Sequence, residues 1–258
     1  MTAVGLPEIV EVHRARVAAD RRSFEAELET ARNSPPPRDF SGALGGDEIS
    51  LIAEVKRRSP SRGEFAPRLE AGSLAKAYVA GGASAVSVLT DEQFFGGSWA
   101  DLHEARSACG VPVLRKDFTL SPLDVCDVRS QGADAVLLIV AVLEDGLLAD
   151  LITLAAELDL AALVETHSEG EIDRAIAAGA TLVGINQRDL GDFTVDSGRA
   201  ARLASAVPAG CVRVAESGVR SPEDVRRASE AGFDAVLVGE QLVTAQNPEA
   251  EARRLVQG

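Results

Sequence analysis

The chain has 258 residues, with 26 lysines and arginines against 40 aspartates and glutamates, for a formal net charge of -14. That length can bury a large core and suits one closed α/β barrel. The acidic balance argues against nucleic acid or an anionic membrane as partner, because there is no basic excess to meet phosphates, although a small anion can still bind in a locally positive cleft.

No segment is apolar for the length a bilayer needs, and the N-terminus lacks a basic-then-apolar signal pattern, so a soluble cytoplasmic protein is expected. Cys109, Cys126 and Cys211 are odd in number, far apart and in no metal spacing. They read as packed thiols, with neither a disulfide nor a zinc site.

In chain order, residues 8–32 place Ile9, Val10, Val12, Val17, Phe24 and Leu28 among charges, the pattern of an amphipathic helix ahead of the first strand. Ser34 and three prolines end it, and a loop through Gly45 and Gly46 leads to Ile49. Apolar runs then predict strands near 49–56, 85–90, 112–116, 135–140, 160–165, 181–186, 211–216 and 235–239, with helix-period stretches between them. Strand then helix, eight times, is the (βα)8 TIM-barrel pattern, with residues 1–48 as a helical extension and 49–258 as the barrel of one domain.

An internal repeat supports this count. Gly82, Gly132, Gly179 and Gly232 each close a helix and enter an apolar strand, at separations of 50, 47 and 53 positions, about two strand-helix units apiece. An open doubly wound sheet is the alternative. Against it, the recurrence runs to the C-terminus and no Gly-x-Gly-x-x-Gly turn follows the first strand.

Reacting groups in such barrels sit at the C-terminal strand ends. The first strand ends with Glu54 and Lys56, which alternation puts on one face. Lys116 ends the third, Glu165 the fifth, Asn186 and then Arg188 the sixth, Glu216 and Ser217 the seventh. The chain uses arginine almost everywhere, and two of its only lysines, Lys56 and Lys116, fall at predicted strand ends; Lys76 sits mid-helix. Arginine holds its proton near neutral pH, whereas a desolvated lysine can have its pKa lowered into the working range, so proton transfer is the expected reason for lysine there; an ordinary ion pair is the other reading.

Histidine offers no competing mechanism. His13 belongs to the leading helix, His103 to a helix after the second strand, and His167 reads as a loop or helix-start residue. No Ser-His-Asp arrangement or metal-ligand cluster can be assembled, which leaves acid-base work to lysines and glutamates. Phosphate is expected at Ser217-Gly218 and Gly239-Glu240, where backbone N–H groups at glycine turns after the last two strands are available. Pro60, Phe95, Phe118, Leu137 and Leu190 could wall an aromatic substrate, with core packing as the other reading of Leu137.

The strings at 52–61 (Ile-Ala-Glu-Val-Lys-Arg-Arg-Ser-Pro-Ser), 87–98 (Ser-Val-Leu-Thr-Asp with Phe-Gly-Gly-Ser), and 113–118 (Val-Leu-Arg-Lys-Asp-Phe) resemble the indole-3-glycerol phosphate synthase family. So do those at 137–140, 163–167, 184–190 and 214–219, in order along the chain. The resemblance implies a barrel of tryptophan synthesis that turns 1-(2-carboxyphenylamino)-1-deoxyribulose 5-phosphate into indole-3-glycerol phosphate, carbon dioxide and water, without cofactor or metal. It implies Lys116 as general acid of ring closure and Glu54 with Lys56 in dehydration and in holding substrate charge. Glu165 is implied to assist the lysine, and Asn186 and Glu216 to orient the intermediate. Arg188 is implied on the anthranilate side, and Ser59, Gly218 and Gly239, with Ser217 beside Glu216, on the phosphate side. Where some members carry serine, this chain has Glu240, whose side chain is expected to point away from the phosphate.

The expected partner is a small phosphosugar, bound by a monomer, with other tryptophan-pathway enzymes as candidate associates. A phosphoribosyl-compound isomerase would share the glycine turns but would want aspartate or cysteine near the first and fifth strands. A non-catalytic phosphosugar-binding barrel would need only those turns.

Overall fold

The structure, a computed structural model, describes residues 5–60, 62–189, 191 and 193–257. Leu190 therefore lies outside the described residues.

The leading segment, expected as one helix, is two: α1 (Leu6–Ala19) and α2 (Phe24–Arg32). The break has a local cause. Asp20 accepts the backbone N–H of Arg22 at 2.9 Å, and Ser23 caps α2 by accepting from Ala26, so short polar side chains offer the backbone an alternative to continued helix. After α2, Arg129 donates to the carbonyls of Ser34 and Pro35, and Arg38 donates to the carbonyls of Val111 and Arg106. Phe40 and Leu44 are fully buried in the same apolar cluster as the inward residues of the barrel strands. Each contributes roughly 1.5–3 kcal/mol of apolar burial, which seals the barrel floor.

The barrel follows: β1 (Ser50–Val55), α3 (Ala71–Ala80), β2 (Ala85–Leu89), α4 (Glu92–Phe95), α5 (Trp99–Ala108), β3 (Val113–Lys116) and α6 (Pro122–Ser130). Next come β4 (Ala135–Ile139), α7 (Asp145–Glu157), β5 (Ala161–Thr166), α8 (Glu169–Ala177), β6 (Leu182–Asn186) and α9 (Arg199–Leu203). The chain ends with β7 (Val212–Glu216), α10 (Pro222–Glu230), β8 (Ala235–Val238), α11 (Glu240–Val243) and α12 (Pro248–Gln257). Every strand pairs in parallel with its two neighbours, and β1 closes the ring against β8, Ser50 opposite Ala235 and Ile52 opposite Leu237. All eight strands begin and end within a residue of the predicted spans. A second, larger apolar cluster lies between strands and helices, so the strands are buried on both faces.

The repeat glycines close helices as their pattern requires. Gly82, Gly132, Gly179 and Gly232 have φ between 80° and 100°, a left-handed region costly for other residues, and the following N–H in each case reaches back to a carbonyl of the last helical turn. Each such turn aims the chain into the floor of an even-numbered strand, which sets where that strand's other end emerges at the mouth.

Candidate active site

Strand alternation sends Val55 into the outer apolar layer and Glu54 into the barrel, where it is 4 % exposed. Lys56 is paired with Glu54. Tyr78 on α3 donates its hydroxyl to the Glu54 carbonyl at 3.2 Å and pins the end of β1. Beyond β1, Arg57 grips Asp101 of α5 through two nitrogens and donates to the Leu69 carbonyl, so the loop carrying Ser59 and Pro60 is tied at its base.

At the centre is Lys116. Its Nζ lies 2.9 Å from Glu216, 3.6 Å from Glu165 and 3.8 Å from Glu54. Burial by itself would lower the lysine pKa, the direction expected from the sequence. Glu216, Glu165 and Glu54 outweigh it and raise the pKa well above the ordinary value, which corrects that expectation. Glu54 moves the other way: burial opposes its charge, but Lys56, Lys116 and Arg188 hold its carboxyl below the usual value. Burial pushes the Glu216 carboxyl up to about 7, and the nearby Glu165 adds to that, against the pull of Lys116.

These groups open into a cavity of about 1260 Å³ including its open mouth. Glu54, Lys56, Ser59, Pro60, Phe95, Lys116, Phe118, Leu137, Glu165, Asn186, Arg188, Ser217, Gly218, Gly239 and Glu240 all line it. Among the described residues singled out from the sequence, Glu216 is the one absent from the lining; it stands behind Lys116 and is 1 % exposed. Leu137 both lines the cavity and packs in the inner cluster, so its two readings hold together.

Beyond the end of β6, the Asn186 side chain accepts the Arg188 N–H, and Arg188 donates to the Phe193 carbonyl at 3.0 Å. Burial, with Arg220 and Arg62 adding repulsion, lowers the Arg188 pKa despite Glu54. Such a cation is poorly compensated and gains from an incoming carboxylate. Opposite it, Ser217 and Gly218 both have positive φ, and Gln187 holds the Ser217 carbonyl at 2.8 Å. Gly239 is needed for space: a Cβ there would come within 2.3 Å of a Glu54 carboxylate oxygen. The Glu240 side chain pairs with Arg62 while remaining in the wall of the same cavity as the glycine turns.

Two histidine settings were not anticipated. His13 Nε2 on α1 lies 3.0 Å from Asp91 and 3.9 Å from Asp117, and its ring packs 5.0 Å from Phe118. The metal-ligand cluster that no sequence spacing suggested thus exists in space, since these three buried residues bring their donor atoms within 4.8 Å of one another. Their oxygens are already engaged. Asp91 accepts from the Phe94 and Phe95 N–H groups, and Asp117 from Thr90, Arg115 and its neighbour's N–H. The trio therefore acts as a clasp that fastens α1 across the rim beside β2 and β3. His167, at the end of β5, has Nδ1 3.2 Å from Glu171 and Nε2 3.6 Å from Glu165. Sequence spacing could not show either, because each depends on side chains that different elements bring to the rim.

The family model for indole-3-glycerol phosphate synthase matches residues 6–255. An indole-3-glycerol phosphate synthase of Paenarthrobacter aurescens (strain TC1) is 48 % identical over 95 % of this chain and 90 % of that protein. One from Mycolicibacterium vanbaalenii is 46 % identical over 99 % of this chain and 94 % of that protein. Among solved structures, a thiamine phosphate pyrophosphorylase from Pyrococcus furiosus aligns with a TM-score of 0.60 over 81 % of this chain and 94 % of its own length at 17 % identity, a likeness of fold alone.

Proposed function

The chain belongs to the indole-3-glycerol phosphate synthase family, and on that premise we propose how its mouth carries out that carboxy-lyase reaction of tryptophan biosynthesis. The substrate is 1-(2-carboxyphenylamino)-1-deoxyribulose 5-phosphate. Arg188 meets its carboxylate, Phe95, Phe118 and Leu137 face its ring, and Ser59, Ser217, Gly218 and Gly239 receive its phosphate, all being residues of one cavity wall.

Ring closure forms a bond between the aromatic carbon bearing the carboxylate and C2' of the sugar, while the C2' oxygen takes a proton from Lys116. A lysine whose proton is held by three carboxylates is matched to an alkoxide rather than to a neutral carbonyl, so transfer accompanies bond formation. Carbon dioxide then leaves and returns its electron pair to the ring. Dehydration removes the C2' hydroxyl as water together with a proton, with Glu54 and Lys56 in reach as base and acid, Glu165 reloading Lys116, and Asn186 orienting the intermediate.

The observation that carries this reading is the Lys116 ammonium set among Glu54, Glu165 and Glu216 beside an apolar wall. A non-catalytic binder has no use for that set, and a phosphoribosyl-compound isomerase would want aspartate or cysteine at the ends of β1 and β5, where this chain has Glu54, Lys56 and Glu165. Incubation with the carboxyphenylamino-deoxyribulose phosphate, followed by indole fluorescence, is the test; no fluorescence from folded protein would defeat it. We take the protein to work as a cytoplasmic monomer of one domain, a reading supported by the single closed barrel of β1 to β8 and by a biosynthetic family model that spans residues 6–255.

A further inference from the structure

Glu54, Glu165 and Glu216 face Lys56 and Lys116, so three carboxylates meet two ammonium groups around one buried point. Lys56 and Arg188 meet Glu54, and Lys116 stands 2.9 Å from Glu216, which leaves Glu165 with Lys116 at 3.6 Å as its cation in the set. His167 is the adjacent group able to give Glu165 a second. Its backbone N–H donates at 2.7 Å to the same Glu171 oxygen that lies 3.2 Å from its Nδ1. Glu171 sits in the first turn of α8, where the helix favours a negative charge, and Ser168 caps that turn through the Glu171 N–H. The ring is thereby fixed from behind. On its other side, Nε2 is buried, has no hydrogen-bond partner among the described residues, and faces Glu165 across 3.6 Å.

With Nδ1–H held by a carboxylate, a neutral ring would turn the Nε2 lone pair toward a second carboxylate, so that two electron-rich ends meet across 3.6 Å. A proton on Nε2 removes that conflict and gives Glu165 a donor. We propose that His167 is a positioning residue, fixed by Glu171, whose Nε2–H keeps the Glu165 carboxylate aimed at Lys116. The inference rests on the acid-base reading of Lys116 and Glu165 given above. Around the ring, the charged groups are Glu165 on β5, Lys116 on β3, Glu216 on β7, and Glu171 and Arg174 on α8, with Arg174 itself paired to Asp145 of α7. Although burial works against the imidazolium, Glu171, Glu165 and Glu216 together raise the His167 pKa, in agreement with the geometry.

The test compares the full-length chain with His167→Ala, His167→Gln, Glu171→Gln and Glu165→Gln. A residue acting through Glu165 should cost less than the ~100 to ~10,000 of a direct acid-base group. We expect kcat of His167→Ala to fall about tenfold to a hundredfold, with KM within about threefold. Glutamine places a neutral donor near the Nε2 position and should restore part of kcat, whereas a merely space-filling histidine would show neither the split between kcat and KM nor that rescue. Nitrogen-15 NMR of the His167 ring gives a readout independent of turnover. Its titration midpoint should fall in both Glu171→Gln and Glu165→Gln, and an unchanged midpoint in Glu165→Gln overturns the proposed contact. If Glu165→Gln loses turnover while folded His167→Ala keeps the wild-type kcat, the positioning role fails and the proposed function stands. If Lys116→Arg and Glu165→Gln both turn over normally, the acid-base reading fails, and the role of His167 in catalysis falls with it.

Discussion

Lys116 Nζ stands 2.9 Å from one oxygen of Glu216, and the other oxygen of that carboxylate has no hydrogen-bond donor among the described residues. A buried carboxylate with one unmet oxygen is expensive to ionise, which is why its pKa rises to about 7. The stability contributed by a carboxyl with a raised folded pKa is present below its unfolded value and is lost as pH rises through about 7. Glu216→Gln should therefore melt above wild type at pH 8, with the gap closing toward pH 5. Melting curves across that range check it; a constant gap would place the titration elsewhere.

Lys116→Arg keeps a charge among the three carboxylates but spreads it over a wider planar guanidinium, which cannot put one donor proton where the compact ammonium Nζ stands. Turnover should fall by a factor of ~100 to ~10,000, the scale of general acid catalysis, and Lys116→Ala should fall at least as far. Circular dichroism melts of both variants separate lost chemistry from lost fold. Near-normal turnover of the arginine variant would move the acid to Lys56.

Arg188 lies half-buried at the cavity wall with a charge disfavoured by burial and by Arg220 and Arg62. Its removal should weaken substrate binding more than chemistry. A charged hydrogen bond is worth about 1.5–3 kcal/mol, so KM of Arg188→Ala should rise about tenfold to a hundredfold with kcat largely kept. A large loss of kcat at unchanged KM would contradict that role.

A Cβ at Gly239 would meet a Glu54 oxygen at 2.3 Å and Lys56 Nζ at 3.1 Å. Gly239→Ala must push that ion pair aside, so turnover should fall at least about tenfold, as for misplaced acid-base groups. Inorganic phosphate should raise the melting temperature of wild type and do so less in this variant. Equal protection of both would remove Gly239 from the phosphate site.

The His13 clasp predicts that α1 loosens before the barrel does. His13→Ala takes from Asp91 Oδ2 its 3.0 Å partner at a cost of about 1–3 kcal/mol, while Asp117 keeps its other donors. Hydrogen exchange of α1 amides should accelerate roughly tenfold or more while β3 and β5 amides stay protected. Uniform acceleration across the chain would show that α1 is integral to the core.

The strands were legible because each is largely buried on both faces, so its apolar run stands out against charged neighbours, and the even-numbered ones begin just after a glycine-closed helix. Lys116 was legible for a different reason, as a lysine in a chain that otherwise chooses arginine. The direction of its pKa was not, since that depends on Glu54, Glu165 and Glu216 standing within 3.8 Å, three distances that alternation and spacing do not give. His13 was missed because nothing in α1 reports that the helix crosses the rim at Asp91, and the break at Asp20 was hidden by a continuous amphipathic pattern.

β8 seals the ring against β1, and it is the last strand to leave the ribosome. A chain that stops before Ala235 already carries every ionisable group of the mouth from Glu54 to Glu216, but β1 and β7 then present open edges. Those edges invite pairing with other chains, and the unclosed wall lets water reach Lys116 and its carboxylates. A chain cut before Ala235 should therefore associate through those edges and lose turnover outright rather than run the reaction slowly.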